Sequence, residues 1–292
     1  MDEFDRTPVN EIQPADIQRL ILRLRDQGYS AKTIKTQKTV VKMIFDYAIT
    51  HDPPWLQVNP AAAVTIPRGL PRTKRSAPDD ATMQTIIDKA DTAYFGLFPY
   101  LLLMTGCRRG EALALTWEDI DFRRRTIRIC RELVYTNGTP TIKTPKTDAG
   151  FREVPLLPGL EAHLMARLTN DSAGPLFLSP GGGYLQENAF KRRWRHYCKD
   201  AGLVREETEV RTDKNGRPYT VTISTPTITP HQIRHGYATI LYEAGVDAKA
   251  AQDLLGHADV HTTMQIYTDI RQRHREDQAA KLADYLRVYE GD

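Results

Sequence analysis

Apolar residues recur at helical spacing in two stretches near the start of the chain, QPADIQRLILRLRDQ (residues 13–27) and SAKTIKTQKTVVKMIFDYAIT (residues 30–50), and both predict helices. In the second, Ser30 is placed to cap, and Ile34, Val41, Ile44, Phe45 and Ala48 share one face. The period then stops. HDPPWLQVNPAAAVTIPRGLPRTKRSAP is rich in proline and lacks apolar periodicity, which predicts a loop followed by a linker, with a boundary near Arg72. APDDATMQTIIDKA opens a new helix, and FGLFPYLLLMTG, from Phe95 to Gly106, predicts a buried helix stopped by glycine.

Strand signals cluster in RTIRICRELVYTNGTPTIKTPKTDAGFREVPL, where β-rich runs alternate and Asn137-Gly138 marks a tight turn, predicting a small antiparallel sheet of three strands. LPGLEAHLMARLT and ENAFKRRWRHYCKDAG return to helical spacing. EVRTDKNGRPYTVTIS predicts a further hairpin turning at Asn215-Gly216. The remainder is helical in pattern, and its last helix, Arg273 to Tyr289, carries Ala279, Leu282, Tyr285 and Leu286 as an apolar stripe. The pattern is therefore that of a mainly α chain: an all-helical N-terminal domain, then an α+β domain with a small antiparallel sheet.

At 292 residues, with 40% hydrophobic and 26% charged composition, the chain suits one large globular domain or two smaller ones. A net charge of +3 is too small to argue for a polyanionic partner, so its distribution matters more. Between Gln18 and Lys42 stand Arg19, Arg23, Arg25, Lys32, Lys35, Lys38 and Lys42 against the single acid Asp26. The segments PRTKR, DFRRR and KRRWR are basic as well. Three cysteines without a CxxC pair, and an N-terminus without the apolar core of a signal peptide, point to a reducing, cytoplasmic compartment. No apolar run approaches the ~20 residues that span a bilayer, so no membrane association is expected.

Several segments hold side chains suited to chemistry. TGCRRGEAL puts Arg108 between a glycine-stopped helix and an amphipathic one, with Glu111 three residues on. PHQIRH puts His231 and Arg234 on one helical face, a titratable donor beside a permanently charged fork, which suits a phosphate. His231 with His235, and His257 with His261, have HxxxH spacing, but Gln232 stands where a zinc peptidase needs glutamate and no third ligand is evident, so no metal is expected. A phosphodiester under attack builds charge on its non-bridging oxygens and needs fixed cationic donors, which Arg108, Arg234, His231 and His257 can supply without a metal. Tyr267, in TTMQIYTDI, is the candidate nucleophile, and a lysine on the hairpin can protonate the leaving 5′-oxygen.

Arg108 in TGCRRGEAL, Lys146 in PKTDAGFREVPL, His231 and Arg234 in HQIRH, His257 in LLGHADV and Tyr267 in TTMQIYTDI follow the order and approximate spacing of the tyrosine recombinases. The chain resembles phage and conjugative-transposon integrases from about Asp16 to Thr268. The resemblance implies that Tyr267 attacks a DNA phosphate to give a 3′-phosphotyrosyl link. Arg108 and Arg234 would hold the phosphate, His231 assist proton transfer, His257 donate a hydrogen bond and Lys146 act as acid. Glu111 would orient its neighbours. Lys143 competes with Lys146, and Arg109 with Arg108, on sequence position alone.

The same resemblance implies the domain plan. Residues 1–71 would form a core-binding domain of four or five helices, 72–78 a linker, 79–272 a catalytic domain of the DNA breaking-rejoining type, and 273–292 a tail docked in cis or on a neighbouring protomer. Lys32, Lys35, Lys38, Lys42, Arg72, Lys74 and Arg75 would contact double-stranded DNA. The arm-site domain and first core-binding helix of larger members would lie outside this chain. The implied assembly is a homotetramer on two core sites in a bacterial host, with accessory directionality or DNA-bending factors and no cofactor. Two rivals share parts of the pattern: a type IB topoisomerase, and a DNA-binding protein without catalysis.

Overall fold

The computed structural model describes residues 4, 7–71, 76–145, 150–272 and 279. The chain divides into two compact units, Met1–Arg75 and Ser76–Asp292. Among the described residues no helix is long and apolar enough to cross a membrane.

The first unit is built on two helices, α1 (Pro14–Asp26) and α2 (Ala31–Thr50). Ser30 caps α2 by accepting the Thr33 N–H at 3.2 Å. Ile17 and Ile21 of α1 pack with Ile34 and Phe45 of α2. Ile44, expected on that face, is instead 57% exposed. It lies with Val40, Met43 and Tyr47 on a second, exposed stripe.

The two helices and the proline-rich loop read from the sequence are present among the described residues, and these helices are fewer than the four or five that the resemblance implies for a core-binding domain. The proline-rich segment after α2 packs back as irregular chain, burying Ala61 and Val64. Side chains hold its backbone in place of helical bonds. Asn59 donates to the Lys42 carbonyl at 3.0 Å and accepts the Ala61 N–H at 2.8 Å. Gln18 both accepts from and donates to the Thr65 backbone, at 2.9 and 3.1 Å.

The second unit contains α3 (Asp80–Asp88), α4 (Leu97–Thr105) and α5 (Arg109–Ala114). Short strands follow: β1 (Ile120–Asp121), β2 (Thr126–Ile129), β3 (Glu132–Thr136), β4 (Thr139–Lys143) and β5 (Arg152–Pro155). After them come α6 (Pro158–Met165), α7 (Glu187–Asp200), the long hairpin β6 (Val204–Thr212) and β7 (Pro218–Pro226), α8 (Pro230–Glu243), α9 (Ala248–Leu255) and a helix over 260–272, here α10. α4 is apolar all round and is buried on every side, as such a helix must be. Phe98 at its start is enclosed by Phe95, Phe177, Phe190 and Trp194.

The single three-stranded sheet expected from the central segment divides in two. β2 pairs antiparallel with both β1 and β5, while β3 and β4 form a separate hairpin whose turn places Asn137 and Gly138 at φ 52° and 79°. The break has a visible cause at Arg131. Its guanidinium turns inward to the Ala114 carbonyl at 3.3 Å, the Thr116 hydroxyl at 2.9 Å and the buried Asp119 carboxylate, so β2 ends at Ile129 and β3 starts afresh at Glu132.

Candidate active site

α4 ends at Thr105 and Gly106 follows in the left-handed region, φ 62°. No other residue fits: a Cβ there would stand 2.2 Å from Cδ1 of Tyr237. The chain turns on this glycine, buries Cys107, and sets Arg108 at the N-cap of α5. One turn into α5, Glu111 accepts the Arg108 N–H at 2.8 Å and its Nη1 at 2.6 Å. A second guanidinium, from Arg152 at the start of β5, donates Nη1 and Nη2 to the same carboxylate at 3.2 and 2.8 Å.

α8 contributes the next pair. Thr229 caps it and Pro230 occupies its first turn, leaving His231 near the entrance and Arg234 one turn deeper. Arg234 is 4% exposed and donates Nη1 to the Gly106 carbonyl at 2.8 Å and Nη2 to the Leu255 carbonyl at 2.5 Å. Burial, with the charge of Arg108 behind it, pulls its pKa down to about 9, which still leaves it cationic at neutral pH. His231 lines a cavity of about 430 Å³ with Arg108, Arg109, Glu132, Tyr135 and Glu187, and its ring meets His235 edge-on at 4.5 Å.

The convergence point is the C-terminal end of α9. A helix leaves its last carbonyls without internal partners and carries partial negative charge there. Here Leu254 accepts Nε of Arg152 at 2.9 Å, Leu255 accepts Arg234, and Gly256 accepts Nη2 of Arg108 at 2.9 Å. Three arginines, distant in sequence, therefore rest on three consecutive carbonyls. Gly256 ends the helix in the left-handed region, φ 65°, and His257 follows it. The Nδ1 of His257 is 2.9 Å from the Thr263 hydroxyl. Burial first, then the charges of Arg234, Arg108 and Arg152, lower its pKa to about 4, so the ring is neutral at pH 7.

Tyr267 lies outside this cluster. Its hydroxyl donates to the Val246 carbonyl at 3.2 Å and its ring meets Tyr242 edge-on at 5.1 Å. Burial, then the charge of Asp247, raises its pKa. Lys146, Arg72, Lys74 and Arg75 lie outside the described residues, while the rival Lys143 ends β4 opposite Glu132. In the first unit Lys32 and Lys35 are exposed. Lys38 is turned onto the Val64 carbonyl at 2.5 Å, and Lys42 pairs with Asp46 at 2.6 Å. Among the described residues no three His, Cys, Asp or Glu side chains gather as a metal-binding group.

Arg152 is the member of the cluster that sequence reading did not select. One signal for it was present: strand alternation puts Arg152 on the same side of β5 as Val154, which is buried. A charge on an inward position needs a partner.

The phage integrase family profile matches residues 79–274. The XerC-like tyrosine recombinase of Caldanaerobacter subterraneus subsp. tengcongensis is 31% identical, over 94% of this chain and 72% of its own length. The transposase of transposon Tn916 from Enterococcus faecalis is 29% identical, over 91% of this chain and 65% of its own. The chain thus spans about two thirds to three quarters of these curated relatives. In fold, it is similar to the Tn1549 transposon integrase solved with transposon right-end DNA, with a TM-score of 0.61 at 24% identity, covering 93% of this chain and 87% of that one. That likeness extends to the mainly helical architecture with small antiparallel sheets. On the profile match and the XerC-like relative together, the chain belongs to the phage integrase family and is a tyrosine-type site-specific recombinase.

Proposed function

We propose that this chain cuts and rejoins double-stranded DNA at defined sites, integrating or excising a mobile element, with Tyr267 as nucleophile. The observation that supports this reading best is the cluster of Arg108, Arg234 and neutral His257 around the end of α9. Two of the five N–H donors of Arg108 go to Glu111 and Gly256, and its side chain is 41% exposed, so donors remain for a phosphate oxygen. Arg234, buried behind it, adds fixed positive charge where the phosphorane develops negative charge.

In the reaction the Tyr267 oxygen bonds to phosphorus and the bond from phosphorus to the 5′-oxygen breaks. The phenolic proton leaves with assistance from His231, and the 5′-oxygen takes a proton from Lys146. The phosphotyrosyl ester retains the energy of the broken bond, and attack by a 5′-hydroxyl reverses the step, so no nucleotide hydrolysis is needed. Tyr267 reaches the phosphate only after giving up its bond to Val246. The pKa of its docked hydroxyl is raised by burial and Asp247, and positive charge beside a phenol favours its ionised form.

In the wider reading, residues 1–71 form the core-binding domain, 72–78 the linker, 79–272 the catalytic domain and 273–292 the tail. Four protomers assemble on two duplexes. A nicked duplex that loses its 5′-hydroxyl fragment by diffusion tests the chemistry. The wild-type chain should give a band shifted by covalent DNA, and Tyr267→Phe should bind the duplex and leave that band empty. A trapped adduct with Tyr267→Phe would exclude Tyr267. A two-site recombination assay beside a plasmid relaxation assay separates recombination from monomeric topoisomerase action.

A further inference from the structure

Arg152 makes three directed contacts and none of them is ordinary surface pairing. Nη1 and Nη2 face the two oxygens of Glu111 at 3.2 and 2.8 Å, and Nε faces the Leu254 carbonyl at 2.9 Å. The guanidinium is 6% exposed, so it is shielded from any substrate. It joins the element that aims Arg108, through Glu111, to the helix end that precedes His257.

We infer that Arg152 is a positioning residue for strand cleavage: it occupies Glu111 and the end of α9 together, and so holds Arg108 and His257 in register with the scissile phosphate. This rests on the recombinase reading above and deepens it. Three arginines compete for one carboxylate. Glu111 is a buried carboxylate with Arg108 on one oxygen and Arg234 at 3.8 Å from the other. With Arg152 on both oxygens, its hydrogen-bonding capacity is largely met and Arg108 is drawn to it by a single side-chain contact. Without Arg152, the uncompensated carboxylate would pull Arg108 inward, away from the phosphate it serves. Small displacements matter here, since positioning errors near 1 Å cost about 100-fold in rate.

Lysine at this position keeps the charge but lacks the flat fork that spans carboxylate and carbonyl. The test is single-turnover formation of the covalent adduct by Arg152→Lys on two nicked duplexes, one with the normal scissile phosphate and one with a neutral methylphosphonate at the same position. Arg152→Lys should melt within a few degrees of wild type, bind the duplex equally, and cleave the normal phosphate about 10- to 100-fold more slowly, the range for loss of a supporting contact. On the methylphosphonate its deficit relative to wild type should shrink to about threefold or less, since less charge then depends on where Arg108 sits. Arg108→Lys should show the same selective narrowing.

The double variant Glu111→Gln with Arg152→Met removes both buried charges together and leaves no lone carboxylate. It covers the case in which Arg152→Lys alone does not fold, and should cleave the normal phosphate more slowly than Glu111→Gln alone, because the link from β5 to the Leu254 carbonyl is lost as well. Wild-type rates for Arg152→Lys would overturn the inference. So would equal losses on both substrates, or collapse of the melting point in both variants, because each assigns Arg152 to the fold alone. If wild type itself forms no adduct, the recombinase reading fails first, and the two failures are told apart.

Discussion

Glu111 and Arg152 face each other as a buried two-point ion pair, the carboxylate 5% and the guanidinium 6% exposed. Burial by itself would raise the Glu111 pKa. The hydrogen bonds and charge of Arg152, with the charge of Arg108, outweigh it and hold the carboxyl at about 2. The unfolded chain releases its proton near 4.5. The stabilisation is therefore complete above about pH 4.5 and is lost as pH falls toward 2, a contribution of about 3 kcal/mol. Melting temperatures from pH 6 to 2.5 should fall more steeply for wild type than for Glu111→Gln below pH 4.5. Parallel curves would mean that this carboxyl titrates normally.

His257 acts in the window above. Burial, then Arg234, Arg108 and Arg152, keep its folded pKa at about 4 against 6.5 for the free side chain. Between those values the unfolded chain binds a proton that the folded chain refuses. The contribution is thus present above pH 6.5 and lost as pH falls through 4. His257→Gln should flatten the stability curve between pH 6.5 and 4 and leave the Glu111 region unchanged. An NMR titration that places His257 near 6.5 in the folded protein would contradict this.

The sequence carried the pieces of this cluster more clearly than their joining. Arg108, His231, Arg234 and His257 stand in local patterns that can be read directly: a glycine stop before Arg108, a proline start before His231, a Leu-Gly stop before His257. Arg152 has no such local mark. Its role depends on Leu254, far away in sequence, offering a carbonyl at a helix end; the Leu-Gly stop marks where that helix ends but not which distant side chain its carbonyls accept. The division of the central strands was illegible for a similar reason, since it follows from Arg131 finding Asp119 and Thr116 in space. In the first unit the apolar period located α2, but two apolar stripes share that helix, and periodicity alone does not say which is buried.

Arg108 and Arg234 should separate cleanly in mutagenesis. Arg108 is 41% exposed and its partner Glu111 keeps Arg152, so Arg108→Ala should cost about 1 to 2 kcal/mol. It should slow adduct formation about 100- to 1,000-fold, as loss of a donor to developing oxyanion charge does. Arg234→Met removes the partners of the Gly106 and Leu255 carbonyls inside the core and should cost about 3 kcal/mol as well as activity. Urea unfolding beside the nicked-duplex assay measures both. Equal destabilisation by the two variants would place Arg108 in the frame of the fold and remove it from the phosphate.

The lysines of α2 differ in what they are free to do, although they read alike in sequence. Lys38 holds the Val64 carbonyl and Lys42 holds Asp46, which also accepts from Asn59 at 2.6 Å. Lys32 and Lys35 are exposed at the start of the helix. If the first unit binds the duplex through phosphates, each lost contact lowers the slope of log affinity against log salt by about 0.9. Lys32→Ala with Lys35→Ala should therefore reduce the slope by about 2 and leave the melting temperature unchanged. Lys38→Ala should lower the melting temperature, because the Val64 carbonyl loses its donor in the segment that closes this unit. Fluorescence anisotropy with a core-site duplex from 50 to 200 mM salt, the range over which such contacts show, reads the first effect. A slope unchanged by the double substitution, with a reduced slope for Lys38→Ala at full stability, would reverse these assignments and put the DNA against the other edge of α2.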